Sequence, residues 1–186
     1  MKRVAMVALA AAVMATGCST FDSQGPRAGA KLEAAAGQQI WGSVSFVETG
    51  GVVEVRADVR NLPPGGEFGF HVHEKGDCSS PDFMSAGGHF NPGGKPHAHF
   101  GKPERHAGDM PNLRADGEGN ATYAFETPLL TVKAGPNSVV GRAVVIHLNR
   151  DDYTSQPAGN SGSRIACGLI REVDQGSEAV YPRLSR

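Results

Sequence analysis

Seven histidines in a chain of 186 residues are the part of this sequence best suited to chemistry. His71 and His73 stand two apart in Phe70-His71-Val72-His73, a setting that predicts a strand. Residues i and i+2 of a strand leave the same face, so both imidazoles point one way and Val72 the other. Such a pair is a ready half of a metal site, although two unrelated surface histidines share the same spacing. His89, His97, His106 and Asp109 follow in a stretch rich in Gly and Pro. Three imidazoles and one carboxylate make a complete tetrahedral donor set for zinc. His147 closes the apolar run Ala143-Val144-Val145-Ile146. Alone it would pass as a surface histidine. His99, two residues from His97, competes with it as a donor. Together, six histidines and an aspartate point to a metal centre.

Those side chains need a rigid support, and the pattern expects strands. Ile40 to Val47 is apolar and β-branched, Gly50-Gly51 is a hairpin turn signal, and Val53, Val55, Ala57 and Val59 alternate with Glu54, Arg56, Asp58 and Arg60. Further strands are expected at Glu67 to His73, Ala121 to Glu126, Arg142 to His147 and Arg164 to Ile170. Many short strands separated by turn signals, with 25 glycines and 12 prolines, predict an all-β Greek-key sandwich or flattened barrel, immunoglobulin-like in layout. Two stretches, Gly76 to Leu113 and Asn149 to Ser163, lack a convincing strand. Long loops inside a domain are functional as a rule. Something must offset their ordering entropy, and metal or a disulfide would do so.

The chain opens with Lys2 and Arg3 before an apolar stretch, Val4 to Ala15, that is short for a membrane span. Ala15-Thr16-Gly17-Cys18 then resembles a bacterial lipobox, with Ala15 where Leu is commonest. The expectation is a signal peptide over 1–17, lipidation of Cys18, and a flexible tether over 18–39 in which Lys31 to Ala36 is at most a fragment of helix. Plain secretion with an incidental cysteine is the alternative. A domain over 40–170 and a C-terminal extension over 171–186 complete the layout. This places the protein in the cell envelope, periplasmic or membrane-anchored through its lipid, at the outer membrane if the cell is Gram-negative. Net charge moves from -1 to -3 once Lys2 and Arg3 leave with the leader, which gives no reason to expect nucleic acid. With Cys18 assigned to lipid, Cys78 and Cys167 remain as an even pair in an exported chain, so a disulfide is expected over two buried thiols.

Five segments resemble the copper/zinc superoxide dismutase family: Gly69-Phe70-His71-Val72-His73-Glu74, Ser85-Ala86-Gly87-Gly88-His89-Phe90-Asn91-Pro92, Arg105-His106-Ala107-Gly108-Asp109, Gly141 to His147, and Gly159 to Gly168. The resemblance spans roughly Ile40 to Ile170. It implies that His71, His73, His89 and His147 hold one copper ion and that His89, His97, His106 and Asp109 hold one zinc ion, with His89 shared. It leaves His99 as an extra, makes Asp151 a carboxylate tying the two sites together behind the ligands, and pairs Cys78 with Cys167. It sets Arg164 beside copper to dock superoxide. The implied activity is dismutation of superoxide to oxygen and peroxide, with His89 taking and returning a proton. The second loop, Asp151 to Arg164, looks shorter than in the animal enzymes and lacks their charged cluster, so Lys75, Lys95 and Lys102 are the candidates for steering the anion. A homodimer is compatible with the family. Two rival readings keep the fold without the activity: a copper-handling relative, and a zinc-storing lipoprotein whose histidines only stabilise it.

Overall fold

The computed structural model describes residues 25–173. Ten strands follow in chain order: β1 (Arg27–Ala34), β2 (Trp41–Thr49), β3 (Val52–Arg60), β4 (Glu67–Phe68), β5 (Phe70–His73), β6 (Leu113–Arg114), β7 (Ala121–Thr127), β8 (Ala143–His147), β9 (Arg164–Leu169) and β10 (Arg171–Glu172). Among the described residues the helical content is one 3₁₀ turn, Met84–Ala86. The large antiparallel sheet runs β5-β8-β9-β1-β2-β3-β7, with β10 also paired to β1 and a separate β4–β6 ribbon. It curls into the expected all-β Greek-key barrel.

The alternation read in β3 is what folds it. Val53, Val55, Ala57 and Val59 are buried, and the charged residues between them face outward. Thr49 pairs with Val52 across Gly50-Gly51, whose φ values of 61° and 83° give the turn that matches strand twist. Phe46, Phe70, Met110, Leu113, Leu130, Ile146 and Ile170 fill the barrel. The segment β5-β8-β9 is buried on both faces. Phe70, Val72, Val144 and Ile146 enter the main core, while Ala143, Val145 and Cys167 pack outward against Phe83 and Ala86 of the first long loop. His71 is paired with Val145 and His73 with Ala143, so the imidazoles share that outer face.

β5 is an edge strand, and the long loop covers it. The Val72 N–H donates to Gly108, the Phe90 N–H to Val72, and the Glu74 N–H to Gly88. Bridges pair His71 with Asp109 and His73 with His89. The backbones approach so closely that a Cβ on Gly108 would lie 2.2 Å from the Val72 oxygen, so only glycine fits there. The disulfide Cys78–Cys167, spanning 89 residues, pins the same loop to β9. In the chain-entropy account such a link is worth about 4–5 kcal/mol.

One expectation is corrected. Arg27–Ala34 is not part of a flexible tether, and Lys31 to Ala34 is not helical: the segment is β1, paired with β2, β9 and β10 in the interior of the sheet. Ala28, Ala30 and Leu32 face the core while Lys31 and Glu33 are exposed. Small residues of poor strand propensity hid the period of two, and burial between two neighbouring strands overrides that propensity. The start of the extension is likewise ordered, since β10 pairs with Ala28 and Gly29. The signal peptide, Cys18 and Tyr181 to Arg186 lie outside the described residues. Leu32→Ala is therefore expected to lower the unfolding free energy by about 2–4 kcal/mol. Denaturant titration checks it, since a tether residue would change stability by less than about 0.5 kcal/mol.

Candidate metal centre

Two strands and two loops bring the donors together. His71 and His73 come from β5, His147 from the end of β8, His89, His97, His106 and Asp109 from the first loop, and Asp151 from the second. His71, His73, His89 and His147 form one group, and His89, His97, His106 and Asp109 another, each with ligand atoms within 4.8 Å of one another. His89 belongs to both.

Each ring is oriented by what its outer nitrogen meets. His73 Nδ1 lies 2.9 Å from the Gly87 carbonyl, and His147 Nδ1 lies 3.2 Å from that of Gly162. Donation to a carbonyl puts the proton on Nδ1 in both rings and leaves two bare Nε2 lone pairs. Those Nε2 atoms face each other at 3.2 Å. His71 is fixed from the opposite nitrogen, with Nε2 2.8 Å from Asp151 Oδ2, and its Nδ1 has no hydrogen-bond partner. Buried lone pairs that converge without donors are what a cation would satisfy.

In the second group Asp109 is the hub. Its Oδ2 accepts from the Ala98 and His106 N–H groups at 3.2 and 3.1 Å. That grip presents Oδ1 to the Nδ1 atoms of His89, His97 and His106 at 2.9, 3.0 and 3.3 Å. His89 Nε2 has no hydrogen-bond partner, and the His106 Nδ1 approach to Oδ1 is a charge contact without a hydrogen bond. Three imidazole nitrogens converging on one carboxylate oxygen make a donor set that fits a tetrahedral zinc ion. Asp151 reaches across both groups, with Oδ1 3.0 Å from His97 Nε2 while Oδ2 holds His71. Asp151 is itself gripped by Asn112, whose Oδ1 accepts from the Asp151 N–H and whose Nδ2 donates to the Asp151 carbonyl.

Arg164 Nη1 and Nη2 donate to the Phe83 and Gly87 carbonyls at 2.6 Å each. The guanidinium shares the Gly87 carbonyl with His73, which fixes it beside the first group, and a guanidinium carries five N–H donors in all. His99 is exposed and belongs to neither group. Its ring lies 4.0 Å from Phe100 and 4.7 Å from Tyr153. Of the lysines considered for steering, Lys95 is engaged with Glu104 at 2.5 Å. Sequence reading missed Asn112, and it missed Arg105, a buried side chain that donates to the Asp109 carbonyl and to Thr127. Arg105 opens the segment Arg105-His106-Ala107-Gly108-Asp109, but its partner in β7 carries no local signal.

Burial pushes His71 and His73 well below the ordinary imidazole value of 6.5, lowers His89, and brings His147 down to about 4. Each neutral ring offers one bare nitrogen as a ligand, and His89 has one further N–H to give up if both its nitrogens ligate. Burial also opposes charge on His97, but its hydrogen bonds to Asp109 and Asp151 win and raise it to about 9. Burial alone would raise the Asp109 carboxyl, yet the facing rings of His106, His89 and His97 hold it far below the usual range.

A curled barrel carrying two buried donor groups with one imidazole common to both defines a protein able to hold two metal ions. The family profile "Copper/zinc superoxide dismutase (SODC)" matches residues 40–170. "Superoxide dismutase [Cu-Zn] 2" of Aquifex aeolicus is 44% identical over 153 residues, covering 80% of this chain and 89% of that protein. The "Superoxide dismutase-like protein YojM" of Bacillus subtilis is 40% identical over 122 residues, covering 63% of this chain and 62% of that one. Among solved structures, the clock protein EA4 superposes with a TM-score of 0.73 at 38% identity, covering 82% of this chain and 98% of that chain. The chain belongs to the copper/zinc superoxide dismutase family, enzymes that dismutate superoxide with copper and zinc.

The shifts set the acid–base behaviour of the metal-free protein. His71, His73, His89 and His147 have folded values below 6.5, so the unfolded chain takes up their protons first. Their contribution is present above about pH 6.5 and is lost as pH falls toward the folded values. His97 is the reverse: its contribution is complete below about pH 6.5 and is lost as pH rises through about 9. Denaturant midpoints of the metal-free protein are expected to peak near pH 6.5–7 and fall on both sides. A flat profile between about pH 5 and 9 would contradict the buried, neutral state of the rings.

Proposed function

We propose that this chain dismutates superoxide in the cell envelope, at a centre in which His89 joins the copper and zinc groups. The observation that carries it is the placement of one ring in both donor groups, with His89 Nδ1 2.9 Å from Asp109 Oδ1 and Nε2 without a partner. Copper held by His71, His73, His89 and His147 would supply the one-electron chemistry, and zinc held by His89, His97, His106 and Asp109 a fixed positive charge. Two superoxide anions and two protons give one oxygen molecule and one peroxide.

The protein's own groups do the rest. Arg164 presents a permanent cation, held by the Phe83 and Gly87 carbonyls, to dock a small anion through charge and N–H donors. His89 Nε2 can hold a proton whenever that atom is not engaged, while Asp109 keeps the ring oriented through Nδ1. Asp151 keeps His71 and His97 in fixed tautomers. Filled donor positions and a placed Arg164 favour catalysis over copper handling or zinc storage.

The test loads the purified protein with copper and zinc and measures superoxide dismutation, with cyanide as a copper-site inhibitor. Fast, cyanide-sensitive turnover is expected. His89→Ala should abolish it and disturb both metals, whereas Arg164→Ala should retain both metals and slow turnover by about tenfold or more. Full activity with normal copper and zinc in the His89 variant would remove the shared-ligand role.

The proposal places the enzyme outside the cytoplasm, tethered by lipid on Cys18. Support comes from Ala15-Thr16-Gly17-Cys18 after an apolar run and from the Cys78–Cys167 disulfide, a bond that persists in oxidising compartments. Cys18→Ala is expected to shift the protein from the membrane fraction to the soluble one on fractionation of the producing cell. An unchanged distribution would refute lipidation.

A further inference from the structure

Most of the donor rings are held from behind by groups already described: carbonyls of Gly87 and Gly162, the carboxylates of Asp109 and Asp151, and the strand β5. One grip takes both main-chain polar groups of a metal-donor residue. Gln156 of the second loop lies 59 positions from His97 in sequence. Its Oε1 accepts from the His97 N–H at 3.0 Å, and its Nε2 donates to the His97 carbonyl at 2.7 Å. One side-chain amide thus satisfies both polar groups of a single residue, as a neighbouring strand would. Asn and Gln alone present an acceptor and a donor side by side on one planar group, and Gln has the longer reach.

The second loop is shaped around the same residue. A Cβ on Gly159 would lie 1.7 Å from Asp151 Oδ1 and 2.8 Å from His97 Nε2, so the chain at Gly159 leaves the room in which those atoms meet. His97 is therefore fixed at both ring nitrogens, by Asp109 and Asp151, and at both main-chain polar groups, by Gln156. It belongs to the group read as zinc-binding and not to the other.

We propose that Gln156 is a positioning residue for the zinc group: by clamping the main chain of His97 it sets zinc affinity while leaving copper affinity alone. This rests on the reading that His89, His97, His106 and Asp109 take zinc. The clamp requires a donor as well as an acceptor. Gln156→Glu keeps the acceptor but sets a carboxylate oxygen against the His97 carbonyl, so it is expected to be no better than Gln156→Ala. Thr154→Ala is the control, since that hydroxyl bonds only Asp152 in the same loop.

The experiment takes the metal-free protein and its variants and titrates zinc and copper separately against a chromophoric chelator. Cobalt(II) absorption serves as a second probe of the zinc group. Both Gln156 variants should weaken zinc by about tenfold or more and copper by less than about threefold, with an altered cobalt spectrum. Thr154→Ala should match the wild type in all three. Zinc affinity within about twofold of wild type in both Gln156 variants would overturn the proposal, as would equal weakening of zinc and copper. A wild-type protein that binds neither zinc nor cobalt at this group would instead overturn the zinc reading beneath it.

Discussion

The interaction on which the rest depends is a conflict. His73 and His147 turn bare Nε2 atoms toward each other at 3.2 Å, with both outer nitrogens committed to carbonyls. His71 Nδ1 and His89 Nε2 are also buried without partners. Unsatisfied buried acceptors cost on the order of 1–3 kcal/mol each. A protein tolerates such a concentration where a cation resolves it, so the donor groups are made stable by what they bind rather than by each other.

The two long loops follow from the same logic. Ordering a segment such as 76–113 without regular structure is costly at roughly 1–2 kcal/mol per residue. The compensation is distributed. Backbone bonds stitch Gly88, Phe90 and Gly108 along the edge of β5, the disulfide fastens Cys78 to β9, and Asp109 gathers three rings. These devices act at the places where donors leave the loop, so the cost of ordering is met where geometry matters. Covering β5 also removes an open sheet edge that would otherwise invite pairing with another chain.

Legibility in the sequence tracks the distance over which each relation acts. The shared face of His71 and His73 was readable because a strand's period of two is local, and the Gly50-Gly51 turn for the same reason. The donor types in the first loop were readable as chemistry, but their convergence was not, because spacing along a loop does not fix position. Recognisable family segments supplied that step. β1 was missed since half of Arg27–Ala34 is alanine and glycine, and its burial depends on partners as distant as Ala166 and Cys167. Asn112 and Gln156 were missed for a stronger reason. They act on main-chain atoms 39 and 59 residues away, and a backbone partner has no identity that a sequence could show.

The two donor groups are also supported unequally. His71, His73 and His147 stand on β5 and β8, strands buried on both faces and locked by the main core. His97, His106 and Asp109 stand on loop, where Arg105 donates to the Asp109 carbonyl and His97 donates to Gln156 and Asp151. A strand holds its side chains through packing that persists without metal, whereas a loop holds them through polar contacts that water can replace. Three donors of the first group thus have strand support that His97, His106 and Asp109 lack. His89 is the joint between them, paired to β5 through His73 and facing Asp109 through Nδ1. Strand packing thus stands behind three donors of one group, and hydrogen bonds between the loops behind three donors of the other.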